Sequence, residues 1–316
     1  EMLQGDWSSD VCSSDLMNLA AAFGSLVGVG ASTLVSVKLG QKDYEGANKV
    51  LGNVLVLNVV LGLAFTLVFM LLLDPILYFF GASENTILYA RDYMNVILIG
   101  NVITHMYLGL NAVLRSSGFP KLAMYATLAS VVINCVLNPL FIFGFGWGIK
   151  GSAWATVISQ VISLTGQLIH FSRPKELLHF KKGIYRLKSE IVKGILYIGM
   201  SPFLMNLCAC LIVILINRGL KEHGGDMAIG AYGIVNRVVF LFIMIIMGFN
   251  QGMQPIAGYN FGARQYSRVT EVTKLTMKWA IGVATTGFLL CQLFPSVIVR
   301  MFTTDPELIE AAVYGL

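Results

Sequence analysis

The sequence predicts an all-α membrane protein of two parallel-repeat six-helix bundles, and three observations carry that expectation. Of 316 residues, 56% are hydrophobic and 12% charged, with a mean hydropathy of +0.73. A soluble domain carries about 25% charged residues, so lipid is the implied solvent. Apolar runs of about 20 residues, the length that crosses roughly 30 Å of hydrocarbon, recur along the chain. Finally, one loop occurs twice, around Gly40 and again around Gly262, 222 positions later.

The elements follow in order. Residues 1–15 are polar, rich in Ser and Asp, and lack the basic start of a signal peptide, so they read as a non-native leader on a truncated chain. Eight spans come next, at 16–37, 50–73, 90–114, 122–145, 151–171, 191–216, 227–257 and 270–294, and a ninth begins near Glu307. None alternates like a barrel strand, which leaves helices to satisfy the backbone. Gly248, Gly252 and Pro255 allow the seventh span to bend or end early. The 32 glycines suit helices that approach closely. The expected domains are residues 16–171, a cytoplasmic amphipathic linker at 172–190, and residues 191–316.

Charge sets the orientation. Lys38, Lys42 and Lys49 follow the first span, Arg115 and Lys121 the third, and Arg264, Arg268 and Lys274 the seventh. The linker after the fifth span and its helix edge add Arg173, Lys175, Lys181, Lys182, Arg186, Lys188 and Lys193. The intervening loops hold Arg91, Lys150, Arg218, Lys221 and Arg300 beside Asp74, Glu84, Asp226 and Asp305. The alternation places the first set in the cytoplasm. It also turns the net charge of +5 into a topology signal and away from nucleic acid.

The repeat lays Leu39-Gly40-Gln41-Lys42-Asp43-Tyr44 on Phe261-Gly262-Ala263-Arg264-Gln265-Tyr266. The same shift, without a gap, pairs Gly30 with Gly252, Val50 with Val272, Leu67 with Leu289, Ile76 with Ile298, Phe80 with Phe302 and Ala90 with Ala312. The two copies lie an even number of spans apart and therefore run in the same direction. That is a parallel repeat about an axis along the membrane normal, the arrangement of several secondary transporters. Gly40 and Gly262 are expected to supply positive φ in these turns, with Tyr44, Tyr266 and the basic residues as interface anchors.

Several strings resemble the multidrug and toxic compound extrusion (MATE) family. They are Gln254-Pro255-Ile256-Ala257-Gly258-Tyr259-Asn260-Phe261-Gly262-Ala263, Leu114-Arg115-Ser116-Ser117-Gly118-Phe119-Pro120-Lys121, and Asn134-Cys135-Val136-Leu137-Asn138-Pro139 with Gly151-Ser152-Ala153-Trp154-Ala155-Thr156. The resemblance implies a fold of twelve helices in two lobes, with this chain holding helices 2 to 9 and the start of helix 10. It implies a monomeric antiporter in a prokaryotic plasma membrane. Such a protein exports amphiphilic or cationic compounds against protons or sodium ions and needs no other cofactor. A lipid-linked oligosaccharide flippase of the same superfamily is the alternative; it calls for a more cationic cavity.

No Asp or Glu lies deep in a complete span, so the candidate residues are neutral polar groups, costly in lipid. Asn134 and Asn138, at i and i+4, share a helix face, and their carbonyl oxygens suit a hard cation. In the family pattern these positions and one matching Thr156 form a cation site, commonly with Asp where this chain has Asn138. Interhelical hydrogen bonding is the alternative role for both amides. Asn101, His105, Asn206, Asn236, Gln251 and Gln254 are the candidate cavity residues. His105 is the one among them whose residue type ordinarily titrates near neutral pH, which would suit a proton relay, although packing is the commoner role of a helix histidine. Gly40, Arg115, Gly118, Pro120, Gly258 and Gly262 are the candidate structural or gating positions. The five cysteines lack metal-ligand spacing, and neither His-Glu-x-x-His nor paired intramembrane carboxylates appear, which argues against a membrane-embedded enzyme.

Overall fold

The computed structural model describes residues 6–79 and 87–316, and the described chain is helical with no strand. Residues 1–5 of the expected leader, Glu84, and Phe80 of the repeat lie outside it. The helices are α1 (Asp6–Gly40), α2 (Tyr44–Leu71), α3 (Leu73–Phe79), α4 (Ile87–Ser116), α5 (Pro120–Pro139), α6 (Gly148–Phe171), α7 (Ser189–Gly262), α8 (Tyr266–Leu293), α9 (Pro295–Arg300) and α10 (Pro306–Gly315). Helical backbone runs through residues 6–15 into the first span. A π-helical turn, Leu140–Gly144, extends α5 beyond Pro139, whose ring denies the helix one backbone donor.

Among the described residues, six segments are long and apolar enough to cross a membrane: Ala22–Gly40, Tyr44–Leu71, Ile87–Ser116, Pro120–Gly144, Ser189–Val213 and Gly230–Gly262. The expected spans at 151–171 and 270–294 do form helices, α6 and α8. Each falls short on apolarity for an identifiable reason. The α6 helix carries Thr156, Ser159, Gln160, Ser163 and Gln167, and α8 opens with Arg268, Glu271 and Lys274.

The α7 helix is 74 residues long, which as a straight rod would measure about 110 Å. It is not a rod. A Cβ on Gly199 would meet the Leu26 carbonyl, and one on Gly30 would meet that of Ile195, so the first arm runs antiparallel to α1. Gln254 reaches Val29 and Thr33, and Gly262 abuts Val37, so the last arm runs parallel to it. The chain therefore reverses between Gly199 and Gln254, and α7 comprises the two expected spans as arms, Ser189–Val213 and Gly230–Gly262.

The repeat is reproduced at residue precision by the backbone. The α1 helix ends at Gly40 and α7 at Gly262; α2 and α8, each 28 residues, start at Tyr44 and Tyr266. Gln41 N–H donates to Val37 and Ala263 N–H to Tyr259, while Asp43 N–H donates to Lys38 and Gln265 N–H to Asn260. Lys42 and Arg264 take left-handed φ of 62° and 59°. The expectation of positive φ at Gly40 and Gly262 is thereby corrected: both glycines close a helix, and the reversal falls two residues later on a basic residue. One difference is local. Asp43 caps α2 through Gly46 N–H and binds Lys38 Nζ at 2.9 Å, which holds its carboxyl below the ordinary Asp range; Gln265 makes no such cap.

Packing gathers the basic segments at one end of the bundle. Gly40 lies against Tyr259, the Phe119 ring stacks edge-on to His170 at 4.7 Å, and the linker lies along the start of α2. At the other end Arg91 forks onto Asp74 with bonds of 3.0 and 2.7 Å, and Lys150 pairs with Asp92 at 3.2 Å. The expected segregation of the turns is therefore a property of the fold.

Between α6 and α7 the linker forms no helix. It is an irregular strap read by two buried asparagines of α2. Asn48 Nδ2 donates to the Leu177 carbonyl and its Oδ1 accepts from His179 N–H; Asn53 Nδ2 donates to the Arg186 carbonyl and its Oδ1 accepts from Lys188 N–H. Gly52 lies between them because a Cβ there would sit 2.3 Å from the Ile184 carbonyl. Leu178 and Ile184 are buried beneath the strap, whereas Leu177, Tyr185 and Leu187 remain exposed on its outer side.

Candidate functional site

Three groups of candidate residues occupy different places. The first is the seam between the two repeats. A Cβ on Gly40 would stand 2.0 Å from the Tyr259 carbonyl oxygen, and one on Gly262 would stand 2.1 Å from that of Val37. Val37 and Tyr259 are themselves related by the 222-residue shift, as Gly40 and Gly262 are. The contact is reciprocal, as at a twofold axis. Gly258 adds to it, with Ser36 Cβ 2.7 Å from where its own Cβ would lie. These are backbone-to-backbone approaches that only glycine permits.

Above this crossing, Gln254 Nε2 donates to Thr33 Oγ1 at 2.5 Å and to the Val29 carbonyl at 3.2 Å. Arg115, at the end of α4, donates to Gln251 Oε1 on the second arm of α7. Two of the six candidate cavity residues thus join the halves. Gly118 and Pro120 form the turn that starts α5: Gly118 has φ of 95° and Pro120 fills the first helical turn.

The second group is internal to the first half. Asn101 is 1% exposed and donates to the Gly62 carbonyl at 3.2 Å and to Thr66 Oγ1 at 3.4 Å, which fixes α4 to α2. His105, fully buried, places Nδ1 2.9 Å from the Asn101 carbonyl, an acceptor only, so Nδ1 carries the proton; Nε2 has no partner among the described residues. Both residues are buried where α4 packs on its neighbours, Asn101 against α2 and His105 between Phe65 of α2 and Gly24 of α1. Asn58, also fully buried, has neither amide atom bonded among the described residues, and its Nδ2 lies 2.2 Å from where a Cβ on Gly109 would be. On α7, Asn206 donates to the Pro202 carbonyl of its own helix and Asn236 is exposed.

The third group is the candidate cation cluster. Asn134 Nδ2 donates to Thr156 Oγ1 at 3.1 Å, and Thr156 donates onward to the Ser152 carbonyl at 3.1 Å. Asn138 Oδ1 is buried and accepts no hydrogen bond from the described residues. The structure joins α5 and α6 through Asn134 and Thr156, with Asn138 one helical turn along α5, and the three offer amide and hydroxyl oxygens without formal charge. No group of three His, Cys, Asp or Glu side chains that could hold a metal exists among the described residues.

Thr33, Asn58, Asn48 and Asn53 were not singled out by sequence. Their signal was weak: each is an uncharged polar residue near or within an apolar run, and only the distant segment that meets it reveals what it binds.

The MatE family profile matches residues 11–140 and 198–316 of the chain. The multidrug export protein MepA of Staphylococcus aureus is 32% identical over 93% of this chain, and that of Staphylococcus haemolyticus is 31% identical over 93%. The chain spans 64% of the length of the first of these relatives. Among solved structures, the MATE multidrug transporter DinF-BH is 34% identical, with a TM-score of 0.88 over 98% of this chain and 69% of that one. An outward-facing MATE family transporter of the MOP superfamily, 23% identical, shares the fold with a TM-score of 0.92.

Proposed function

This chain belongs to the MatE family, and from that premise we propose that it works within a secondary antiporter of the plasma membrane. The antiporter exports amphiphilic or cationic compounds in exchange for protons or sodium ions. The observation that carries the reading is the reciprocal crossing of Gly40 on Tyr259 and Gly262 on Val37. Two like halves that meet at a small, backbone-tight contact can part and re-form that contact as rigid bodies, which is what alternating access requires.

The crossing lies at the end that carries the basic turns, so it acts as the cytoplasmic seal. Arg115–Gln251 and Gln254–Thr33 reinforce it with bonds that exchange with water when the halves separate. Asn134, Asn138 and Thr156 offer oxygens to a coupling cation without supplying charge. A cation there binds through neutral dipoles and is released without a proton acceptor at that position. The names of the relatives, MepA as a multidrug export protein and DinF-BH as a multidrug transporter, support the same substrate class.

The test is transport by the full-length protein in vesicles, loaded with a fluorescent cationic dye and given an inward proton or sodium gradient. Gradient-dependent dye efflux is expected. Absence of coupled efflux for every amphiphile tried, with folded protein present, would overturn the reading.

A further inference from the structure

A helical bundle in lipid is expected to fill its interior with apolar side chains, because an unmet polar group there costs several kcal/mol. The interface of α4, α5 and α6 does otherwise. Starting from the Asn134–Thr156 bond and moving toward the cytoplasmic turns, Ser130 Oγ faces Ser159 Oγ at 3.5 Å. Next, Asn111 donates to the Ala123 carbonyl at 3.0 Å and to Thr127 Oγ1 at 3.3 Å. Ser163 and Gln167 follow on the α6 face that carries Thr156 and Ser159, at spacings of three and four residues. His170 ends the row beside Phe119.

Every step below the Asn134–Thr156 bond has a buried polar member: Ser130 is 8% exposed, Ser159 2%, Asn111 6%, Ser163 5%, Gln167 1% and His170 6%. Two of them have unmet side chains. Ser163 Oγ and both amide atoms of Gln167 are buried without a hydrogen bond among the described residues. A primary amide with donor and acceptor both unmet, one helical turn from an unmet hydroxyl, is the kind of site that ordered water occupies, each water needing two to four polar contacts.

We infer that α4, α5 and α6 enclose a hydrated polar seam leading from the Asn134–Asn138–Thr156 cluster to the cytoplasmic end of α6. The ligand class is water and, with it, a small monovalent cation. From Thr156 to Gln167 the seam runs about 16 Å at the rise of an α-helix. It rests on the antiporter reading for its purpose, since it would let the coupling cation reach the cytoplasm by a path inside one lobe. Its existence is testable without transport.

Cysteine accessibility in the full-length protein, freed of native cysteines and held in inside-out vesicles, provides the test. Methanethiosulfonate ethylammonium, a small cation, is added from the cytoplasmic side. Ser163→Cys and Gln167→Cys are expected to be modified, Gln167→Cys the faster. Leu164→Cys lies between them in sequence, but the native side chain belongs to the apolar core and is 7% exposed, so it is expected to react about tenfold or more slowly. Equal, slow labelling at all three positions overturns the seam.

A second variant guards against a cysteine that disturbs packing. Gln167→Leu plugs a wet seam, so it should suppress labelling of Ser163→Cys while leaving the melting temperature about unchanged. If the site is dry, Gln167→Leu removes an unmet amide and raises the melting temperature sharply, with no change in labelling; that result also refutes the seam. Loss of dye efflux in an otherwise accessible protein would sink the antiporter reading and leave the seam standing.

Discussion

Gly40→Ala is the most direct probe of the seal between the halves. The new Cβ would lie 2.0 Å from the Tyr259 carbonyl oxygen and 2.9 Å from Ala263 N. The nearest ordinary C···O approach is about 3.3 Å, so the helices must part by roughly 1.3 Å. Both obstructing atoms are backbone, so no rotamer change can relieve the clash. Overpacking of this kind costs about 1–3 kcal/mol, which shifts a two-state equilibrium roughly 5- to 150-fold. The closed cytoplasmic face should bear that cost, because the open face lacks the contact.

Spin labels at Gln41→Cys and Gln265→Cys, both at exposed sites in the two related turns, report the separation by pulsed electron resonance. Gly40→Ala should move population from the short to the long distance and lower the melting temperature. Gly262→Ala, which meets Val37 in the symmetry-related way, should do the same, and the double variant should add less than the sum, since one opening relieves both clashes. Gly282→Ala is the control: nothing described lies within 4 Å of its Cβ, and a helix interior gains about 0.5–1 kcal/mol from alanine. If Gly40→Ala leaves both the distance distribution and the melting temperature as they were, the glycines are not a seal.

Three other outcomes follow from the geometry. Asn53→Leu removes the side-chain bonds to the Arg186 carbonyl and the Lys188 amide, at about 0.5–1.5 kcal/mol for each, so the linker should become sensitive to protease before the bundle melts. Asn138→Asp places a charge one helical turn from Asn134, whose amide binds Thr156, and should create or strengthen sodium-dependent thermal stabilisation; a melting curve indifferent to sodium in both forms removes the cluster as a cation site. Asp43 has its carboxyl held below the ordinary value by Lys38 and by Gly46 N–H, so its contribution is present above the unfolded value near 4 and is lost as pH falls through the lower folded value. Asp43→Asn should flatten that acid limb of a stability–pH curve, whereas Gln265, its partner in the repeat, should contribute none of it.

Much of this fold was legible in the chain because lipid imposes strong rules. Apolar length, the placement of Lys and Arg, and one repeated loop led to the span boundaries, the shared end of the basic turns and the parallel relation of the halves. The two spans within α7 were also legible, as apolar runs on either side of the loop that holds Arg218 and Lys221. The roles of single polar residues were less legible. Asn101 and His105 have the composition of cavity residues, yet both bind their own neighbourhood between α2 and α4. Gln254 and Gln251 have the same composition and face the other half of the molecule. Sequence cannot separate these cases, because an amide costs the same in every apolar run; the helix that meets it decides what it does.

The duplicated loop shows the division most clearly. By itself the sequence determined that Gly40 and Gly262 are equivalent, through their common register and their flanking basic and tyrosine residues. It did not determine why they are glycine. Local turn geometry suggested positive φ, but that conformation fell on Lys42 and Arg264 instead. Only the tertiary structure, by bringing Val37 and Tyr259 across the axis, supplied the reason: each glycine faces a carbonyl oxygen at a distance where no side chain fits. A periodic pattern encodes which residues are alike, and the crossing of two distant helices encodes what they touch.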